Sequence, residues 1–198
     1  MMYPPKNNKN GKTKIQDSIT NRIEQYKEHL STLNLKPELH IKISSTQFRS
    51  KDSVRVITDS ITDNKSPKIY RFSIASMTQR KSLINAYTNF KEINVSAENS
   101  PKRSISRFNN NNNSETLYIG SKMTNIKSRI KEHLGEGYFR TYALQLNKWD
   151  NDLEYDLEIE IFTVQTQIQK DYKRNFIELV EQEMWEYYQP IFGKKSGL

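Results

Sequence analysis

Between Leu117 and Leu134 the hydrophobic period of the chain changes, and this switch constrains the fold more than any other feature. Leu117-Tyr118-Ile119 has a strand's composition, Gly120-Ser121 supplies a turn, and Ile126, Ile130 and Leu134 then recur at helical spacing. Gly135 is placed to end that helix. Arg129 and His133 stand four residues apart on it, so both side chains share one face. A tyrosine at a strand end, a guanidinium and an imidazole that converge there suit a phosphate group. Two plainer readings stand beside this one. Tyr118 is also an ordinary strand residue, and a solvated basic helix would account for Lys122, Lys127 and Lys131.

The remaining pattern predicts how that unit is completed. Residues 1–14 are polar and basic and read as a disordered tail. From Ile15 to Leu33 apolar positions recur as in a helix, which must stop before Pro37. Leu39, Ile41 and Ile43 alternate as a strand would, and Val54 to Ile57 is a weaker strand candidate. Ile69 to Ile74 alternates again, with Tyr70, Phe72 and Ile74 on one face, and residues 78–93 read as a helix. Residues 94–104 read as loop, 104–108 as a short strand, and the asparagine run from Asn109 to Ser114 as a hairpin tip tolerant of change. Residues 141–149 read as a short helix, Tyr155 to Val164 as a strand, and Tyr172 to Tyr188 as a helix closed by Pro190.

This order predicts a small mixed α/β domain: a mainly antiparallel three-stranded sheet, with strands near 68–74, 116–120 and 155–164 and helices 125–134 and 173–188 against it. Residues 15–66 form an N-terminal helix and strand extension, residues 67–198 the main domain, and about 75–114 an insertion within it.

Only 34% of the 198 residues are hydrophobic and mean hydropathy is −0.87, so the core must be modest and lean on aromatics. The net charge of +8 favours a polyanionic partner through counterion release, although a basic protein with no nucleic-acid role would carry the same charge. The absence of cysteine excludes disulfides and thiolate zinc sites. No apolar run approaches the roughly 20 residues of a membrane span, and the first residues carry no apolar signal segment, so a cytoplasmic location is expected.

The string YIGSKMTNIKSRIKEHLG resembles the second half of the signature of GIY-YIG nucleases. In that family the YIG-like strand leads into a helix with an essential arginine, often followed one turn later by histidine. Arg129 and His133 hold those places. A glutamate on a later helix binds the single catalytic metal and is followed by proline. VEQEMWEYYQPIFG looks like that segment, with Glu181 nine positions before Pro190, a spacing similar to that of the family's excision-repair nuclease; Glu178 is the competing carboxylate. The first family tyrosine, from GIY, falls on Tyr70 if residues 75–114 are an insertion, or on Ser106, which has no phenol, if they are not. The chain departs from the family in lacking the GIY glycine and in carrying Gly193 where many relatives place asparagine. The resemblance covers about residues 67–198.

What the resemblance implies is a Mg²⁺- or Mn²⁺-dependent endonuclease acting on double-stranded DNA, with one ion per active site on Glu181. Among family roles the compact length suits a restriction-type enzyme. Arg129 would neutralise charge on the phosphoryl oxygens, Tyr70 or Tyr118 would activate water with Arg129 and the metal lowering the phenol pKa, and His133 would take that proton or orient the tyrosine. Lys122, Lys127 and Lys131 would contact the DNA. A homodimer, and for a restriction enzyme a cognate methyltransferase, are the protein partners such a role admits. The rival reading is a nucleic-acid-binding protein that keeps the fold without the activity.

Overall fold

The computed structural model describes residues 9–62, 64–96 and 101–195, with side chains from Thr13 onward. Its elements are α1 (Lys9–Leu30), β1 (Asn34–Ser44), α2 (Ser45–Phe48), α3 (Lys51–Asp59), β2 (Lys68–Ser73), α4 (Met77–Ser96), β3 (Thr116–Lys122), α5 (Ile126–Lys131), β4 (Asp156–Gln165) and α6 (Lys170–Tyr188). The sheet has four strands, not the three expected, in the order β1-β4-β2-β3 with every neighbouring pair antiparallel. The three expected strands are present, and the N-terminal strand adds itself along β4. The alternation of Leu39, Ile41 and Ile43 gave β1 an apolar face, and β4 offered Ile161, Ile159 and Leu157 directly opposite it.

Because side chains alternate across a strand, each strand feeds two cores. Tyr70, Phe72, Leu117, Ile159 and Ile161 point to one face, where Ile126, Ile130, Leu134 and Trp149 cover them. Ile69, Ile119 and Val164 point to the other, against Phe176, Ile177 and Val180 of α6. Burying each of these α6 side chains contributes on the order of 1.5–3 kcal/mol. Helix α6 ends where Gln189 turns left-handed (φ 48°) and Pro190 forbids a further turn.

Several local expectations are corrected. Residues 54–57 are helical, because Ser50 caps the start of α3 through the Ser53 N–H and burial of Val54 and Thr58, four apart, outweighs β-branched propensity. Residues 141–149 contain only a short 3₁₀ turn at Leu146–Lys148, and residues 104–108 make isolated bridges at Ile105 and Phe108 rather than a strand. Residues 9–14 of the expected tail are part of α1, while residues 1–8 lie outside the described residues. On α1, Ile15, Ile19 and Ile23 are exposed, and Tyr26 packs on Phe176.

The asparagine run is not a free hairpin tip. Asn109 and Asn111 donate their side-chain amides to the Pro190 carbonyl (3.1 and 3.2 Å), and Ser114 Oγ donates to the Tyr188 carbonyl (2.8 Å). Carbonyls left over at the end of α6 are thereby satisfied, and the segment after it is tied to β3 by Ile191 N–H on Thr116 O and Phe192 N–H on Leu117 O.

Candidate active site

Tyr70 on β2 lies directly opposite Gly120 on β3, and Tyr118 sits opposite Phe72 one row further in. The Tyr70 and Tyr118 rings stack with centroids 6.2 Å apart. Gly120 makes this possible: a Cβ there would stand 2.4 Å from Tyr70 Oη and 2.9 Å from Tyr118 Cε1. The glycine is therefore the space the Tyr70 phenol occupies.

Arg129 reaches the same corner from α5. Its Nε–H donates to Tyr70 Oη (3.0 Å), Nη2 to Tyr118 Oη (3.4 Å) and Nη1 to Glu132 (2.9 Å). One guanidinium thus spans both phenols and is held from behind by a carboxylate one turn along the helix. Burial acts against its charge, but these neighbours outweigh it and raise the Arg129 pKa, so it remains a cation.

His133 is buried, and its protonation is decided by its surroundings. The Leu144 backbone N–H can only donate, and it points at Nδ1 (3.2 Å), so that nitrogen carries a lone pair. Burial and the Arg129 charge hold the ring well below its ordinary pKa of 6.5, so it is neutral, with its proton on Nε2. Nε2–H then donates to Tyr70 Oη (3.1 Å). Tyr70 oxygen accordingly accepts two hydrogen bonds, from His133 and from Arg129, and its own proton must point elsewhere. His133 orients the phenol and holds no free lone pair toward it.

Burial pushes the Tyr70 phenol well above 10, Tyr118 adds to the rise, and Arg129 opposes it. Tyr118 is raised for the same leading reason. Arg129 favours the phenolates as expected, but burial outweighs it and both tyrosines are neutral at neutral pH.

Glu181 on α6 accepts a hydrogen bond from Ser121 Oγ (2.5 Å), the residue after Gly120. Burial raises its pKa and Glu178 adds to the rise, while Ser121 and Arg129 act against it. Its charge in turn raises both Tyr70 and Tyr118, so the carboxylate shares the field of this corner. Glu178 pairs instead with Arg174 (2.9 Å). Beside Ser121 a cleft of about 320 Å³ opens between the end of β3 and α6, and both Glu178 and Arg174 line it.

Four sequence-derived candidates, Tyr70, Tyr118, Arg129 and His133, therefore come together through hydrogen bonds and ring contacts, whereas Glu181 bonds Ser121 and meets them only through its charge. Ser106 does not join them: it is buried, its N–H on Ala143 O and its carbonyl accepting from Tyr87 Oη. Exposed Lys122 lines the cleft. Lys127 and Lys131 lie on the flank of α5 away from Arg129, since two residues turn a helix by about 200°. Sequence reasoning passed over Ser121, Glu132 and Tyr142. Helical spacing was a signal for Glu132, three residues from Arg129, and adjacency to Gly120 for Ser121. Tyr142 gave none: it is distant in the chain, and its hydroxyl accepts from Arg107 N–H (2.9 Å).

A divalent cation fits this donor set only in one style. Among the described residues no group of three or more His, Cys, Asp or Glu side chains gathers that could hold a metal. A single shielded carboxylate suits a hard ion such as Mg²⁺, which keeps several waters and takes its remaining ligands from substrate phosphate.

Comparison of the chain with protein-family models, with curated proteins and with solved structures returns no match. Among the described residues no helix is long and apolar enough to cross a membrane.

Proposed function

We propose that this protein is a metal-dependent DNA endonuclease of the GIY-YIG type, acting on a phosphodiester placed at the Tyr70–Tyr118–Arg129–Glu181 corner. The observation that carries the reading is the Arg129 guanidinium bridging two stacked phenols while lying in the field of Glu181. Few purely structural roles call for a cation against a neutral imidazole and two phenols buried together.

In this mechanism Arg129 meets the non-bridging oxygens as charge grows on them, with a planar fork that Lys lacks. Glu132 keeps the fork facing the tyrosines. Tyr70, whose oxygen already accepts two hydrogen bonds, has only its own O–H left to direct; once that proton passes to solvent, the phenolate takes a proton from the attacking water. His133 fixes that geometry and stays neutral. Glu181 would hold the cation, with Ser121 orienting its carboxylate. When bound, a Mg²⁺ ion would supply the positive charge that polarises the phosphoryl oxygen, eases departure of the alkoxide and favours the phenolate. The resemblance suggests a restriction-type role on double-stranded DNA, and only such a role would bring a cognate methyltransferase as partner.

The second reading is a DNA-binding protein without the activity. The raised phenol pKa values favour it, since neither tyrosine is a ready base in this state.

Incubating supercoiled plasmid with the protein and Mg²⁺, with and without chelator, separates the two. Chelator-sensitive nicking is the expected result. Salt-sensitive binding without nicking supports the second reading, and absence of both removes the nucleic-acid assignment.

A further inference from the structure

All four strands end at one rim of the sheet, and a row of side chains crosses it. Lys36, Thr163, Lys68 and Lys122 stand directly opposite one another on β1, β4, β2 and β3. Cross-strand partners share a face, so this row lies on the same face as Tyr70 and Gly120, which form the next row inward. Three strand spacings make the row about 14 Å long.

Its central lysine is occupied. Lys68 is buried, and its ammonium is held by Glu38 and by Thr163 Oγ1. Lys36 and Lys122, at the two ends, are exposed, and neither forms an ion pair among the described residues. Lys36 and Thr163 also line a groove of about 830 Å³, walled mainly by hydroxyls and amides, with Lys173, with the Glu38 carboxylate that Lys68 neutralises, and with no aromatic ring. On its edge Asn34 Nδ2 donates to Gln165 Oε1 (2.9 Å). That bond uses one donor and one acceptor, and leaves the Asn34 carbonyl oxygen and the Gln165 amino group for a ligand.

Two features identify the ligand. Amides that present one acceptor and one donor match base edges, while exposed lysines match backbone phosphates. Single strands are held largely by stacking on aromatic side chains, and this groove offers none, so the partner is duplex.

We infer that this rim is a duplex-DNA track leading away from the catalytic corner: Lys122 and Lys36 hold backbone phosphates at its two ends, and the Asn34–Gln165 pair meets base edges beyond the point of cleavage. The inference rests on the nuclease reading for the position of the scissile phosphate and adds where the flanking duplex is held.

The chain's lack of cysteine makes the test direct. Single-cysteine variants Lys122→Cys, Gln165→Cys and Ile93→Cys carry a photo-crosslinker and are irradiated with mixed-sequence duplex DNA in Ca²⁺. Ile93 is the control, 67% exposed on α4, which follows the opposite end of β2. The expected result is crosslinking from 122 and from 165 at several times the level from 93, with the 165 adducts displaced along the duplex from the 122 adducts. Crosslinking from 122 with 165 at control level, or from 165 with 122 at control level, overturns the track and leaves the nuclease reading standing. Control-level crosslinking from both overturns the two together.

Discussion

Gly193 lies against the ring of Tyr118: a Cβ at residue 193 would stand 3.0 Å from Cε2 and 3.2 Å from Cδ2. Its φ of +115° lies beyond the left-handed region that asparagine tolerates, and its N–H donates to the Arg107 carbonyl. The departure at this position is thus a requirement of this backbone. Gly193→Ala should cost about 1–3 kcal/mol of stability, read as a lowered midpoint in denaturant, and should slow cleavage by displacing Tyr118. An unchanged midpoint would mean the turn adapts without strain.

Tyr70→Phe removes the acceptor shared by His133 Nε2–H and Arg129 Nε–H. Leaving buried donors unpaired costs about 1–3 kcal/mol, and loss of a group that orients or deprotonates water should lower the nicking rate by about 10²-fold or more. Tyr118→Phe loses only the longer 3.4 Å bond and should be the milder change in stability. Equal destabilisation by the two substitutions would contradict the double-acceptor geometry.

Glu181 carries a pKa raised above its ordinary 4.5, chiefly by burial. In the window from 4.5 up to that raised value the native state binds more protons than the unfolded chain, so stability falls as pH rises across it. Glu181→Gln should abolish this slope, giving a variant that melts at or above the wild type at neutral pH but not below pH 4.5. Mg²⁺ should raise the melting temperature of the wild type and leave the variant's unchanged. A Mg²⁺ response retained by Glu181→Gln would place the ion elsewhere.

His133 shows the opposite sign. Its folded pKa is held well below 6.5, so the unfolded chain binds the extra proton first and stability is lost as pH falls from 6.5. His133→Gln should flatten that acid limb. Nitrogen-15 shifts of the wild type at pH 6 should report a neutral ring protonated at Nε2 alone. A signal for protonated Nδ1 would refute the bond from Leu144.

Much of the site was legible because its residues lie in regular elements with local rules. Arg129 and His133 share a face by helical spacing, and Gly120 follows Tyr118 within one short strand. Tyr70 was harder, since two alignments were open in the sequence; its place opposite Gly120 follows from strand register, which no stretch of sequence shows by itself. Glu181 stood apart from Glu178 by its distance to Pro190, and the structure separates them physically: one turns to Ser121, the other to Arg174.

The sequence by itself determined the element types where hydrophobic period was strong, the basic charge and the set of groups able to meet a phosphate, because these depend on residues close together in the chain. Only the tertiary structure decided that β1 completes a four-stranded sheet, that residues 54–57 are helical and that the asparagine run holds Pro190. Only it decided which nitrogen of His133 bears the proton, through an amide 11 residues away. Those outcomes turn on burial and on hydrogen bonds between distant segments, which no local pattern records.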